Sequence, residues 1–199
     1  MVKKKITVPS PNGFVKITDE MTAVKKFVQH LDDPMNDTLA FYISESDVPT
    51  AIAGELPVLE RYFILKVNKE LRNMTVGKDE FSQFKEVAKS QIKQTLADVK
   101  LLMPELMDKI SQGISEEFDF DFAIDVSEVI PLEPHYEVEN AWASSMYYNY
   151  GTTVGSQKEH HIVAGTSTFL NTSGIILFLH GYAPKDELEW TKKASINWS

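Results

Sequence analysis

A chain of 199 residues, 43% apolar and 25% charged, can bury one hydrophobic core and reads as a single domain over residues 1–199. Its net charge of -9 argues against broad attraction to nucleic acid or anionic lipid, so no nucleic-acid partner is expected. The absence of cysteine excludes disulfides, thiolate metal sites and cysteine nucleophiles, and no apolar run approaches the roughly 18 residues of a membrane span.

Met1 to Lys5 resembles the charged start of a signal peptide, but Ile6-Thr7-Val8-Pro9-Ser10-Pro11 follows where an apolar stretch would be needed. The expected location is cytoplasmic if the chain is complete, and the bacterial periplasm or envelope if a leader has been removed. Val8 to Gly13 is turn-rich. Phe14 to Ile17 alternates as a first strand, and Thr18 is the expected cap of a helix carrying Met21, Val24, Phe27, Val28 and Leu31. Pro34 follows that helix, and Leu39 to Ser44 is the second strand. Glu45 to Glu60 has no clear period and reads as a long loop, a candidate working surface. Arg61 to Lys69 is rich in strand formers.

Asp79 to Met103 carries an apolar stripe from Phe81 and Phe84 to Leu102, with Thr75 as its expected cap. Pro104 is expected to start or kink a second helix that Gly113 closes. From Glu105 to Glu139 eleven Asp or Glu face Lys109 alone, so this span is strongly acidic. Phe118, Phe120 and Phe122 alternate with Asp119, Asp121 and Ala123, which predicts a strand running on to Ile130, with Pro131 and Pro134 at a bend or edge. Glu137 to Tyr150 reads as a further strand and Gly151 to Ser156 as the turn after it. Ile162 to Phe169, the turn Asn171-Thr172-Ser173-Gly174 and the apolar run Ile175 to Leu179 make a hairpin whose last strand is central. After Pro184 the period changes to that of a short helix bearing Trp190 and Trp198, with Asp186, Glu187 and Glu189 in its first turn. This order is not the regular alternation of a parallel doubly wound sheet. It predicts an α+β fold, an antiparallel meander with helices packed on it.

Five histidines invite a search for chemistry. His160 and His161 are adjacent on a strand and point to opposite faces, whereas Glu159 with His161, and His135 with Glu137, would share a face. Either pair supplies two ligands where a metal needs three or four, so no metal or other cofactor is assigned. Asp119, Asp121 and Asp125 lack the glycine and bidentate glutamate of a calcium loop and read as an acidic strand face. No nucleophile elbow and no phosphate-binding glycine motif occurs. The late aromatic residues, above all Trp142, Tyr148 and Trp190, are candidates for lining a groove between the sheet and the last helix.

PSPNGFVKIT near the start, the strands LAFYIS and RYFILKVNK, the long helix, and the closing GIILFLHGYAPKDELEWTKKASINW resemble the PsbP-like fold. That group includes subunit P of the oxygen-evolving complex, Mog-type nuclear import factors and small bacterial envelope proteins; the bacterial branch fits best. The resemblance implies an antiparallel sheet sandwiched between helices (an α/β/α sandwich) and a non-enzymatic binding or assembly role with a protein partner. Asp119, Asp121 and Asp125 would meet a basic surface of that partner. Two other readings stand beside it. One is a small-ligand binder using the groove at the closing helix; the other is a hydrolase or metal-dependent enzyme using His135, His161 or His180 with a carboxylate.

Overall fold

The computed structural model describes residues 6–31 and 34–199, with the side chains of 91–100 and 102 outside that description. It is an α+β fold around one open, eight-stranded sheet. The strands are β1 (Phe14–Lys16), β2 (Asn36–Ser44), β3 (Tyr62–Asn68), β4 (Phe122–Pro131), β5 (Tyr136–Val138), β6 (Ala141–Val154), β7 (Gln157–Thr172) and β8 (Ile175–Pro184). Every pairing is antiparallel. The order across the sheet is β1-β2-β3-β8-β7-β6-β4, with β5 also on β6.

The sheet is not one continuous meander. The chain leaves it after β3 and builds the far edge. It then returns so that β8, the last strand, lies between β3 and β7. The reason lies in the composition of β8: Ile176, Leu177 and Leu179 are all buried, and consecutive apolar residues need cover on both faces. Strand alternation divides the sheet interior in two. Tyr42, Phe63, Leu65, Leu177, Leu179 and Trp198 form one cluster. Phe41, Ile43, Ile64, Met21, Val24 and Ala51 form the other. The turn between β7 and β8 is tighter than the four-residue reading. Strand pairing continues to Thr172 opposite Ile175. Ser173 and Gly174, both at positive φ, make the two-residue connection that such a hairpin requires.

The helices are α1 (Thr22–Gln29), α2 (Val48–Ile52), α3 (Lys78–Phe118) and α4 (Leu188–Trp198). Part of the span expected to be loop, Glu45 to Glu60, is helical: a single turn over Glu45–Asp47 leads into α2, whose Ala51 is buried. The two helices expected on either side of Pro104 are one, 41 residues long, and Gly113 lies within it. Gly113 is there for close approach, not for termination. A Cβ at that position would stand 2.3 Å from Nδ1 of His30 at the end of α1. The cap of α3 is Gly77, not Thr75, and Oε2 of Glu80 accepts from its N–H at 2.5 Å. The helix ends on Asp119 in the left-handed region, so the Phe-Asp alternation straddles a helix end and β4 begins only at Phe122. The predicted stripe of α3 beyond Ala88, including Ile92 and Leu102, lies outside the described side chains.

Two helices dock on strands through hydroxyls. At the edge of the sheet, Ser111 and Ser115 of α3 accept from the N–H groups of Ile124 and Phe122 on β4, both at 3.0 Å. An edge strand's exposed donors are thereby covered. Pro131, at the other end of β4, has no donor to offer. On the opposite side of the molecule, Thr166 and Thr168 of β7 bond Thr191 and Ser195 of α4 at 2.8 and 2.6 Å. All four are at most 1% exposed. Thr166 also bonds Ser145 of β6 at 2.7 Å, and Thr191 donates to the carbonyl of Leu188. Thr166→Val would leave the buried hydroxyl of Ser145 without its acceptor and remove the proton that Thr191 accepts, while Thr191 keeps its bond to Leu188. We expect a loss of about 1–3 kcal/mol, read from the urea midpoint at unchanged slope. A change within a few tenths of a kcal/mol, on the order of error for a surface site, would show that the seam carries no stability.

Candidate binding cleft beside the closing helix

Helix α4 begins after the short turn Lys185–Glu187, and its first turn places Trp190 next to the sheet. Glu187 fixes Arg61, which precedes β3. Arg61 donates from Nε to Oε2 at 2.6 Å and from Nη2 to Oε1 at 2.5 Å. The pairing draws the carboxyl of Glu187 below its ordinary range and raises the guanidinium. The guanidinium carbon lies 4.9 Å from the centre of the Trp190 ring. Phe14 and Phe63 flank the same indole at 5.9 and 5.7 Å. Trp190 is thus held on several sides. At the other end of α4, Trp198 is 7% exposed and donates from Nε1 to the carbonyl of Pro9 at 2.8 Å. That bond ties the N-terminal segment to the last turn of the chain.

Between this segment and α4 lies a cleft of about 420 Å³, lined by Pro9, Ser10, Pro11, Asn12, Phe63, Trp190, Lys193, Ala194, Asn197 and Trp198. Its floor is aromatic. Its rim carries an ammonium, two amides and a hydroxyl, and its lining contains no Asp or Glu. An apolar floor with a few polar rim groups is the usual make-up of a ligand site. Neither a model of a known protein family nor a curated protein sequence matches this chain.

Of the three groove candidates Trp142, Tyr148 and Trp190, only Trp190 belongs to this cleft. Trp142 is 1% exposed and stacks on Phe169 with ring centres 5.1 Å apart, on the opposite face of the sheet. Tyr148 shares that other face, where it meets Tyr182 at 5.9 Å; burial raises the pKa of Tyr148 well above the ordinary phenol value. Trp142 and Tyr148 therefore do not line one groove with Trp190. Strand parity separates them: Trp142 and Tyr148 are an odd number of residues from Ser145, which faces α4 through Thr166. The members that sequence reading missed are Pro9 to Asn12, Phe63, Lys193 and Asn197. The helical spacing of Trp190, Lys193 and Asn197 was available as a signal. The contact across 189 residues between Trp198 and Pro9 was not.

The acidic candidates lie elsewhere. Asp119 caps α3, the carbonyl of Asp121 accepts from Gly155, and the Asp125 carboxyl lies over Gly151. All three residues are exposed. Part of the acidic span is internally neutralised: Glu117 pairs with Lys26, Glu137 with Lys85 and Lys89, and Glu139 with Lys78. The span Glu45 to Glu60 presents Ile52, Leu56 and Val58 to solvent, Val58 at 88%.

The histidines do not converge on a metal: among the described residues no three His, Asp or Glu form a ligand group. His161 lies 3.4 Å from Glu159 and 3.1 Å from Thr152 Oγ1, while His180 Nδ1 is 2.8 Å from Ser167 Oγ. His135 and Glu137 do not share a face. Glu137 bonds lysines of α3, whereas His135 Nδ1 lies 3.5 Å from Ser145 Oγ on the α4 side, because regular alternation starts only at Tyr136.

His135 ends the hydroxyl chain of α4. Thr191 gives its proton to Leu188, so it accepts from Thr166, which accepts from Ser145. Ser145 Oγ is then left to accept from Nδ1–H of His135, which leaves Nε2 as the bare nitrogen. That atom is buried without a protein partner. Burial first, and then the charge of Lys192, lowers the pKa of His135, with Glu189 acting the other way. The unfolded chain therefore takes up a proton at a pH where the folded chain does not, and stability falls as pH drops through the unfolded value of about 6.5. We expect the urea midpoint to fall between about pH 7.5 and about pH 5.5, and less steeply in His135→Gln. Equal slopes in the two proteins would show that His135 is not a source of the pH dependence.

Proposed function

We propose that the protein is a non-enzymatic binding or assembly module for a protein partner, and that the cleft beside α4 is its working surface. The observation that carries this reading is the fixed aromatic wall. Trp190 is held by Arg61, Phe14 and Phe63, so little conformational freedom is lost when a ligand meets it. A rigid tryptophan beside a guanidinium is also the composition in which binding energy concentrates at protein interfaces. The PsbP-like resemblance, with its helix-covered α/β/α sandwich and its bacterial branch, belongs to the same proposal. It is supported by the element order: an early strand and helix, a long helix after β3, antiparallel strands, and a closing helix.

A small-ligand binder is the second reading, favoured by the cleft's volume, which lies in the usual range for ligand sites. The acidic face at Asp119, Asp121 and Asp125 is, under the first reading, an auxiliary surface that speeds encounter with a basic partner.

The test is site-specific photocrosslinking in the native host. A benzophenone side chain at exposed Asn197 should trap one discrete protein, and the same probe at exposed Val87 on α3 should not. Trp190→Ala should reduce the Asn197 adduct at least about tenfold, as expected for loss of a central anchor. Identical adduct patterns from both positions, or no effect of the alanine, would sink the protein-partner reading. A low-mass species retained by the purified protein and displaced by Trp190→Ala would favour the small-ligand reading.

A further inference from the structure

Resting on the reading of the cleft as a binding site, we propose that its occupant is the C-terminal residue of a protein partner. The large apolar side chain of that residue would lie on Trp190 and Trp198, and its free carboxylate would be held by Lys193. The first argument is charge. The chain has 29 Asp and Glu against 20 Lys and Arg, yet the cleft lining holds no acid and one lysine. A carboxylate would meet repulsion over much of this molecule. Screening confines such interactions to roughly 8 Å at physiological salt, so the local composition of the cleft governs.

The second argument is pairing. Two neighbouring cations are engaged: Lys192 of α4 with Glu189 at 2.7 Å, and Arg61, just before β3, with Glu187. Lys193 makes no ion pair among the described residues, although its charge is felt at Glu189. Ser10, Asn12 and Asn197 likewise have no side-chain hydrogen bond there. These groups supply one cation and several neutral donors around an apolar floor. That set suits a carboxylate attached to an apolar body: the ammonium takes one oxygen, and an amide N–H can take the other.

The third argument selects a chain end over a free small acid. The cleft wall, Pro9 to Asn12, runs straight into β1, which is the terminal strand of the sheet and, among the described residues, is paired on one side only, by β2. An extended segment leading out of the cleft therefore finds a backbone edge to follow, as in strand addition. The cleft itself has room for about one large residue and its carboxylate.

The experiment uses the full chain and an N-acetylated pentapeptide library with every residue type in the last position, offered as free acids and as C-terminal amides. Binding is read by tryptophan fluorescence and calorimetry. We expect free acids ending in Phe, Trp, Leu or Met to bind, and their amides to bind at least about fivefold more weakly. Lys193→Met should abolish the acid–amide difference without moving the unfolding midpoint, because this lysine is exposed. Rising salt should narrow the same difference. Equal affinity of acids and amides, or no binding by any library member, overturns the inference. So does an N-acetylated single amino acid that binds as tightly as the pentapeptides, which would point to a small acid. If crosslinking from Asn197 still depends on Trp190 while acids and amides are equivalent, this inference falls and the binding-module reading stands.

Discussion

The structure depends on a coincidence of repeats. Along a helix, four residues rise about 6 Å. Along a strand, two residues rise about 6.7 Å. Thr191 and Ser195 on α4 therefore sit above Thr166 and Thr168 on β7, and each hydroxyl meets its partner. The same spacing lets Ser111 and Ser115 of α3 reach Ile124 and Phe122 of β4, with the chain directions reversed. Small hydroxyl side chains allow close approach, and their bonds impose a register that apolar packing alone would leave loose. Because the four hydroxyls between α4 and β7 are buried, misalignment there by one residue would strand a polar group away from water.

The rest of the molecule follows from where these two helices are pinned. With α4 running alongside β7, Trp190 comes over Phe63 and Trp198 reaches the carbonyl of Pro9. The cleft is thus a by-product of docking. Its floor is Phe63 of β3 with Trp190, Ala194 and Trp198 of α4, and its far wall is an N-terminal segment tied down by the indole bond to Pro9 and by the packing of Ile6 and Val8 on the core. Arg61 and Glu187 then immobilise the indole that a ligand would touch. With α3 pinned along β4, the sheet's long outer edge is partly closed, and β1 is the edge at the other end of the strand order.

Legibility in the sequence varied with the range of the interaction involved. The central strand β8 was visible because a continuous apolar run has few other uses. The continuity of α3 through Pro104 and Gly113 was hidden, since both residues are ordinary terminators. Contact with His30 accounts for Gly113, and that contact joins elements about 80 positions apart in the chain. The helix within Glu45 to Glu60 was hidden too, because a five-residue helix offers little more than one turn from which to read a period. For the cleft beside α4, Trp190 was legible as a large aromatic on an amphipathic helix. Its partners were not, because Pro9 to Asn12 and Phe63 have no local feature that marks them as neighbours of α4.

The sequence by itself determined the class of fold, the central position of the last strand, the acidic balance, the absence of thiol chemistry, and the presence of a tryptophan-bearing closing helix. These are properties of composition and of short-range period, and a stretch of ten residues carries them. Tertiary structure alone decided that β8 pairs with β3, that Trp142 and Trp190 lie on opposite faces, that His135 joins a buried hydroxyl chain, and that Lys193 stands over an aromatic floor free of acids. Each of these depends on which distant strands are neighbours and on their register. In a sheet, a shift of one residue exchanges the two faces, so register separates residues that the sequence alone would have grouped.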